Sequence, residues 1–213
     1  MKKIIYSIVL IVLFTNCKNE KNLPTDFDYG IVENGVYKNN YFGVRIPFNT
    51  DWSVQSQKQM SDLTKSGTDL IVGDNDEFQK VVDASLINVA ELFMIFKYEV
   101  GSTTNFNPSF LMNAENLKQF PNINNASEYL VGAKRVLQQS NMQIDYRSED
   151  YEVEIGNEKF LCMEIENGSF GIFQDYFVTL KRGFAVAFIV TYDNEEDKKE
   201  LYSIIENINI NKY

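Results

Sequence analysis

The sequence contains no histidine at all. That one absence removes the commonest general base and the commonest metal ligand, and with them every Ser-His-Asp or Cys-His arrangement. Cysteine is almost as scarce, at two residues, Cys17 and Cys162. If Cys17 is committed elsewhere, Cys162 has no partner for an internal disulfide. No P-loop, GxGxxG, GxSxG or CxxC pattern occurs. Basic residues are outnumbered, 20 Lys and Arg against 30 Asp and Glu, for a net charge of −10. So acidic a surface repels phosphate backbones and anionic membranes, and no nucleic-acid partner is expected. Proline (4) and tryptophan (1, Trp52) are also rare.

Aromatic residues are what the chain has in quantity. Sixteen Phe and twelve Tyr in 213 residues supply ample apolar area for one sizeable domain. The most informative stretch runs from Gly171 to Asn211. Ile172, Gln174, Tyr176, Val178 and Leu180 alternate with Phe173, Asp175, Phe177 and Thr179, the period of a strand. Lys181-Arg182-Gly183 is a turn, and the nearly all-apolar Phe184–Thr191 predicts a central strand covered on both faces. Asp193, with Glu196 three residues on, is expected to cap a closing helix whose Leu201, Ile204 and Ile205 face inward.

Upstream, Met1–Asn16 has a basic start (Lys2, Lys3) and an apolar run from Ile4 to Phe14, the pattern of a secretory signal. Cys17 directly after it resembles the acylated cysteine of bacterial lipoproteins, with Phe14-Thr15-Asn16 in place of the usual residues before the cut. The resemblance implies lipidation of Cys17, palmitate included, and a protein held on a membrane of the cell envelope. It implies the outer membrane, with surface exposure open because Lys18 and Glu20 resemble an export tag. Loss of Lys2 and Lys3 with residues 1–16 would take the net charge from −10 to −12. Residues 17–35 are then read as lipidated Cys and flexible tether, and 36–213 as a single domain.

Within that domain, Val36–Pro47 predicts two short strands broken at Asn39-Asn40. Helices are expected over Gln57–Val72 and Asp76–Ala84, strands at Leu92–Tyr98 and Ser109–Leu117, and a helix capped by Asn125 and Glu128 to about Ser140. Ile144–Ile155 and Phe160–Ile165 read as strands joined at Gly156-Asn157. This order points to an α+β fold, a largely antiparallel sheet with helices on both faces, an α/β/α sandwich. NNYFGVRIPFNTDW near the start and QDYFVTLKRGFAVAFIVTYDNEEDKKELYSIIENINI at the end look like the two ends of PsbP-like domains. The likeness covers residues 36–213. It implies a non-catalytic module that binds partner proteins, and it transfers no site residue.

The carboxylates give only weak signals. Asp74, Asp76 and Glu77, and the set Asp193, Glu195, Glu196 and Asp197, read as helix N-termini where acids offset the macrodipole. Glu152, Glu154, Glu158, Glu164 and Glu166 read as the wet face of a hairpin. Cys162, between Leu161 and Met163, reads as a small buried hydrophobe. Phe106 and Phe120, in loops, are candidates for exposed partner anchors. No catalytic residue, metal ligand or cofactor is assigned. The favoured reading is a membrane-anchored binding or assembly module, possible partners being the membrane and another envelope protein. The alternatives are a carboxylate- or divalent-cation-dependent enzyme and a carrier of a small apolar ligand.

Overall fold

A computed structural model describes residues 23–102, 106–140 and 142–211. Two antiparallel sheets and four helices make up the body. The large sheet contains β4 (Ser53–Val54), β5 (Val89–Phe96), β6 (Ser109–Asn116), β7 (Ile144–Tyr146), β8 (Tyr151–Ile155), β9 (Glu158–Asn167), β10 (Ile172–Lys181) and β11 (Phe184–Tyr192). Its order is β4-β5-β6-β11-β10-β9-β7, with β8 pairing with β9 beside β7. The small sheet, ordered β1-β2-β3-β12, is built from β1 (Ile31–Glu33), β2 (Val36–Asn39), β3 (Val44–Pro47) and β12 (Asn209–Ile210).

β11 is the central strand that its apolar run predicts. Phe184, Val186, Phe188, Val190 and Tyr192 point into one core, and Ala185, Ala187 and Ile189 into another. The first core lies between the large sheet and a layer made of the small sheet and α4 (Glu195–Glu206). It is rich in aromatic rings: Phe110 and Phe160 pack against Phe188, and Tyr37 stacks on Phe93 at 4.6 Å. The opposite face carries α1 (Gln57–Val72), α2 (Asp76–Leu86) and α3 (Ala126–Gln139). The fold is therefore α+β with helices on both faces, and the small sheet completes one of the outer layers.

Two helix caps differ from expectation. Asn194, not Asp193, caps α4: its backbone is extended and its Oδ1 accepts from the Asp197 N–H at 2.9 Å, while Asp193 lies one residue too early to reach that donor. Asn125 caps α3 as expected, but the Glu128 carboxylate turns back to the Asn124 N–H at 2.6 Å. The region Ile144–Ile155 is two strands, β7 and β8, rather than one.

The larger correction concerns residues 23–35, which the sequence assigns to a flexible tether. They are fastened to the body. Asn34 (φ 50°) and Gly35 (φ 72°) form a two-residue turn joining β1 to β2. Phe27 sits among Tyr41, Phe42 and Phe184 at centroid distances of 5.1 to 5.9 Å. Buried Asn39 donates to the Asp28 carbonyl at 2.7 Å, and Tyr37 donates to the Tyr29 carbonyl at 2.8 Å. Gly30 is required here: a Cβ on it would meet the Tyr37 ring at 2.5 Å.

Candidate functional site

Two arrangements stand out at opposite ends of β10. The first follows from a tight turn. Arg182 (φ 54°) and Gly183 (φ 80°) both take left-handed backbone, so β10 and β11 join through two residues and the Arg182 side chain projects past the end of the sheet. Its guanidinium stacks over the Tyr41 ring at 4.2 Å, donates to the Tyr41 carbonyl at 2.7 Å and lies 3.6 Å from the Asp26 carboxylate. Beside it, the chain leaving β6 makes a short turn at Leu117–Gln119 and a loop through Pro121. Between loop and turn runs an open groove of ≈ 620 Å³ that reaches Leu23 and Pro24. Lys118, Lys181 and Arg182 line it, and among the described residues no acidic one does. Lys181 bonds to Glu158 just outside. Phe120 on the rim is 37% exposed.

The second arrangement is closed. Asp175 alternates into the aromatic core and has no exposed surface. Its Oδ2 accepts from the Tyr202 hydroxyl at 2.7 Å and the Tyr192 hydroxyl at 2.9 Å. Tyr192 in turn accepts from Arg147 Nη1 at 2.9 Å, and Lys198 lies over both phenol rings. Among the described residues Asp175 Oδ1 has no hydrogen-bond partner. Burial raises the Asp175 carboxyl above its ordinary range, against the pull of the two phenols. Glu164 faces it across the β9–β10 pair and takes hydrogen bonds from Ser148 and Tyr151. Two acids thus share a strand pair, but protein encloses Asp175.

The residues singled out in the sequence are dispersed. Cys17 lies outside the described residues. Cys162 is fully buried, and burial pushes its thiol up to about 12, so it stays protonated and inert. Asp76 and Glu77 stand in the first turn of α2, and Glu195, Glu196 and Asp197 in that of α4. Asp197 has a further role: with Glu200 it binds Lys97, at 2.8 and 2.9 Å, tying α4 to the end of β5. Glu152 and Glu154 are exposed on β8, as a wet face requires; Glu158, Glu164 and Glu166 are half-buried. Phe120 is exposed and Phe106 half-buried. Among the described residues no three His, Cys, Asp or Glu side chains are placed to hold a metal. No helix among them is long and apolar enough to cross a membrane.

No family model matches the chain. No curated protein matches it either. Solved structures similar to it include cyanobacterial PsbP (CyanoP) from Synechocystis, at 10% identity and TM-score 0.48, covering 85% of this chain and 96% of that one. Another is LpqN of Mycobacterium tuberculosis, described as involved in cell envelope biogenesis, at 11% identity and TM-score 0.39, covering 79% and 83%. A third is PA94 from Pseudomonas aeruginosa, a protein of unknown function, at 9% identity and TM-score 0.41, covering 56% and 79%. Likeness at this level assigns neither a site residue nor an activity to the chain.

Proposed function

We propose that this protein is a non-catalytic binding or assembly module held on a membrane of the cell envelope through an acylated Cys17. The observation that carries the reading is the fastening of residues 23–30. The basic start, the apolar run and Cys17 form an anchoring signal, and only residues 18–22 separate Cys17 from a segment pinned by Phe27, Asp28 and Tyr29. An anchor so near a rigid body presents that body in a limited range of orientations, which suits a surface that meets a partner.

A catalytic reading would rest on Asp175 and Glu164. Asp175 is enclosed, and its Oδ2 is already engaged by two phenols, so a substrate would have to open the aromatic core to reach it. The carrier reading needs an enclosed apolar cavity, whereas the groove beside Arg182 is open and mixed in polarity.

The test compares the native chain with Cys17→Ala in the producing cell. The native chain should enter the detergent phase, carry the mass of fatty acyl groups and bring a partner with it from solubilised membranes. Cys17→Ala should lose the acyl mass and the membrane attachment. Recovery of Cys17→Ala unchanged in the membrane pellet overturns the proposal.

A further inference from the structure

We infer that the groove between the Leu117–Pro121 loop and the β10–β11 turn is the face that lies against the bilayer, contacting anionic phospholipid headgroups through Lys118 and Arg182 and their interfacial layer through Phe120. The inference rests on the anchor proposed above and adds which face the anchor turns downward. Three observations carry it.

The first is reach. Six residue steps separate Cys17 from Leu23, so an acylated Cys17 lies no more than about 22 Å from Leu23, however the chain runs. Leu23 and Pro24 themselves line the groove, and Asp26, close behind them, is paired with Arg182. The membrane is therefore tied to this end of the molecule. The other end of β10, at Phe170 and Gly171, is about 30 Å further away along the strand.

The second is charge. The chain carries −10, yet among the described residues three cations and no acid line this groove. An acidic protein held at an anionic surface is repelled as a whole, so the orientation of lowest energy puts its basic face down. Asp26 and Glu158 offset part of the charge of Arg182 and Lys181, and Lys118 is exposed at the lip.

The third is chemistry at the rim. Phe120, followed by Pro121, stands exposed beside Lys118. An aromatic ring flanked by lysine or arginine is the pairing that settles at headgroup depth, the ring in the interface and the cation on phosphate.

The experiment uses the full acylated chain reconstituted into vesicles of phosphatidylethanolamine and phosphatidylglycerol. A fluorophore is placed on Phe120→Cys, or for comparison on Phe170→Cys, the most exposed aromatic at the far end of β10. Buried Cys162 does not compete for label. Flotation reads the anchor, and quenching by nitroxide-bearing lipid reads the orientation. The expected result is that both proteins float and the label at 120 is quenched several-fold more than that at 170. Lys118→Glu, or replacing phosphatidylglycerol with phosphatidylcholine, should narrow the difference while flotation persists. Flotation with equal quenching at the two positions overturns this inference and leaves the anchor standing. Failure to float removes the anchor and this inference together. A label at 120 shielded from both nitroxide lipid and aqueous iodide puts a protein on the groove and also overturns it.

Discussion

The two faces of the large sheet are filled in different ways. Toward α4 and the small sheet the core is continuous and rich in aromatics, with Phe42, Ile46, Phe110 and Phe188 fully enclosed. Toward α1, α2 and α3 the described buried residues fall into two clusters, one of them formed by Val72, Phe78 and Val82 with Leu86 and Val136 packed against it. Many of the described residues of α1 are exposed, and a groove of ≈ 510 Å³ opens between the α1–α2 pair and β5. The difference teaches where rigidity resides. The face that receives the N-terminal segment is also the densely packed one, so the segment is fastened to the least deformable part of the molecule, and the helical hairpin opposite is free to open locally.

Matched truncations would break the comparison most directly. Phe188→Ala should cost about 3–5 kcal/mol and lower the urea midpoint for the whole molecule, because a ring enclosed by Phe110 and Phe160 leaves a cavity that cannot collapse. Phe78→Ala should cost roughly half as much, since α1 and α2 can close on the gap, and its effect should be confined to hydrogen exchange in those helices. Equal costs in chemical denaturation would erase the distinction.

Next in size is the tie from β5 to α4. Lys97→Met removes the cation that Asp197 and Glu200 share and strands a mostly buried Asp197; a loss of about 2–3 kcal/mol is expected in thermal unfolding. Burial by itself lowers the Lys97 pKa, but the two carboxylates outweigh it and raise it.

Asp175 sharpens the comparison through pH. Its folded pKa is raised above the ordinary 3.8, so its contribution to stability is complete below that value and is lost as pH rises through the folded one. In urea titrations, the stability of Asp175→Asn relative to wild type should therefore improve as pH rises from about 4 to about 7. A gap that stays constant across that range would show the carboxyl to be unperturbed.

The smallest effect belongs to the loose face. Gly67 lies inside α1 with no neighbour within 4 Å of an added Cβ, so Gly67→Ala should stabilise the protein by about 0.5–1 kcal/mol.

Much of this architecture was legible in local pattern. The alternation of β10, the unbroken apolar run of β11, the two-residue turn at Gly156-Asn157 and the bounds of α1 each depend on neighbours in sequence, and each is present. The hairpin at Asn34-Gly35 was equally readable, since Asn-Gly between apolar pairs is a strong turn signal, but the polar residues around it pointed to a linker. Other features depend on residues far apart. Asp175 looks like any polar residue in a strand until Tyr192 and Tyr202 arrive from β11 and α4. The basic groove likewise joins Lys118 to Arg182 and to Leu23, and no spacing along the chain announces it.

β8 carries one further implication. It sits at the margin of the large sheet beside β7, with Glu152 and Glu154 exposed along it. A margin of this kind offers open backbone groups to any strand that passes, and molecules would pass one another often if the proposed anchor confined them to a plane. Two such margins approaching side by side would bring like charges together, so crowding on a surface should not drive these molecules to polymerise through their sheets.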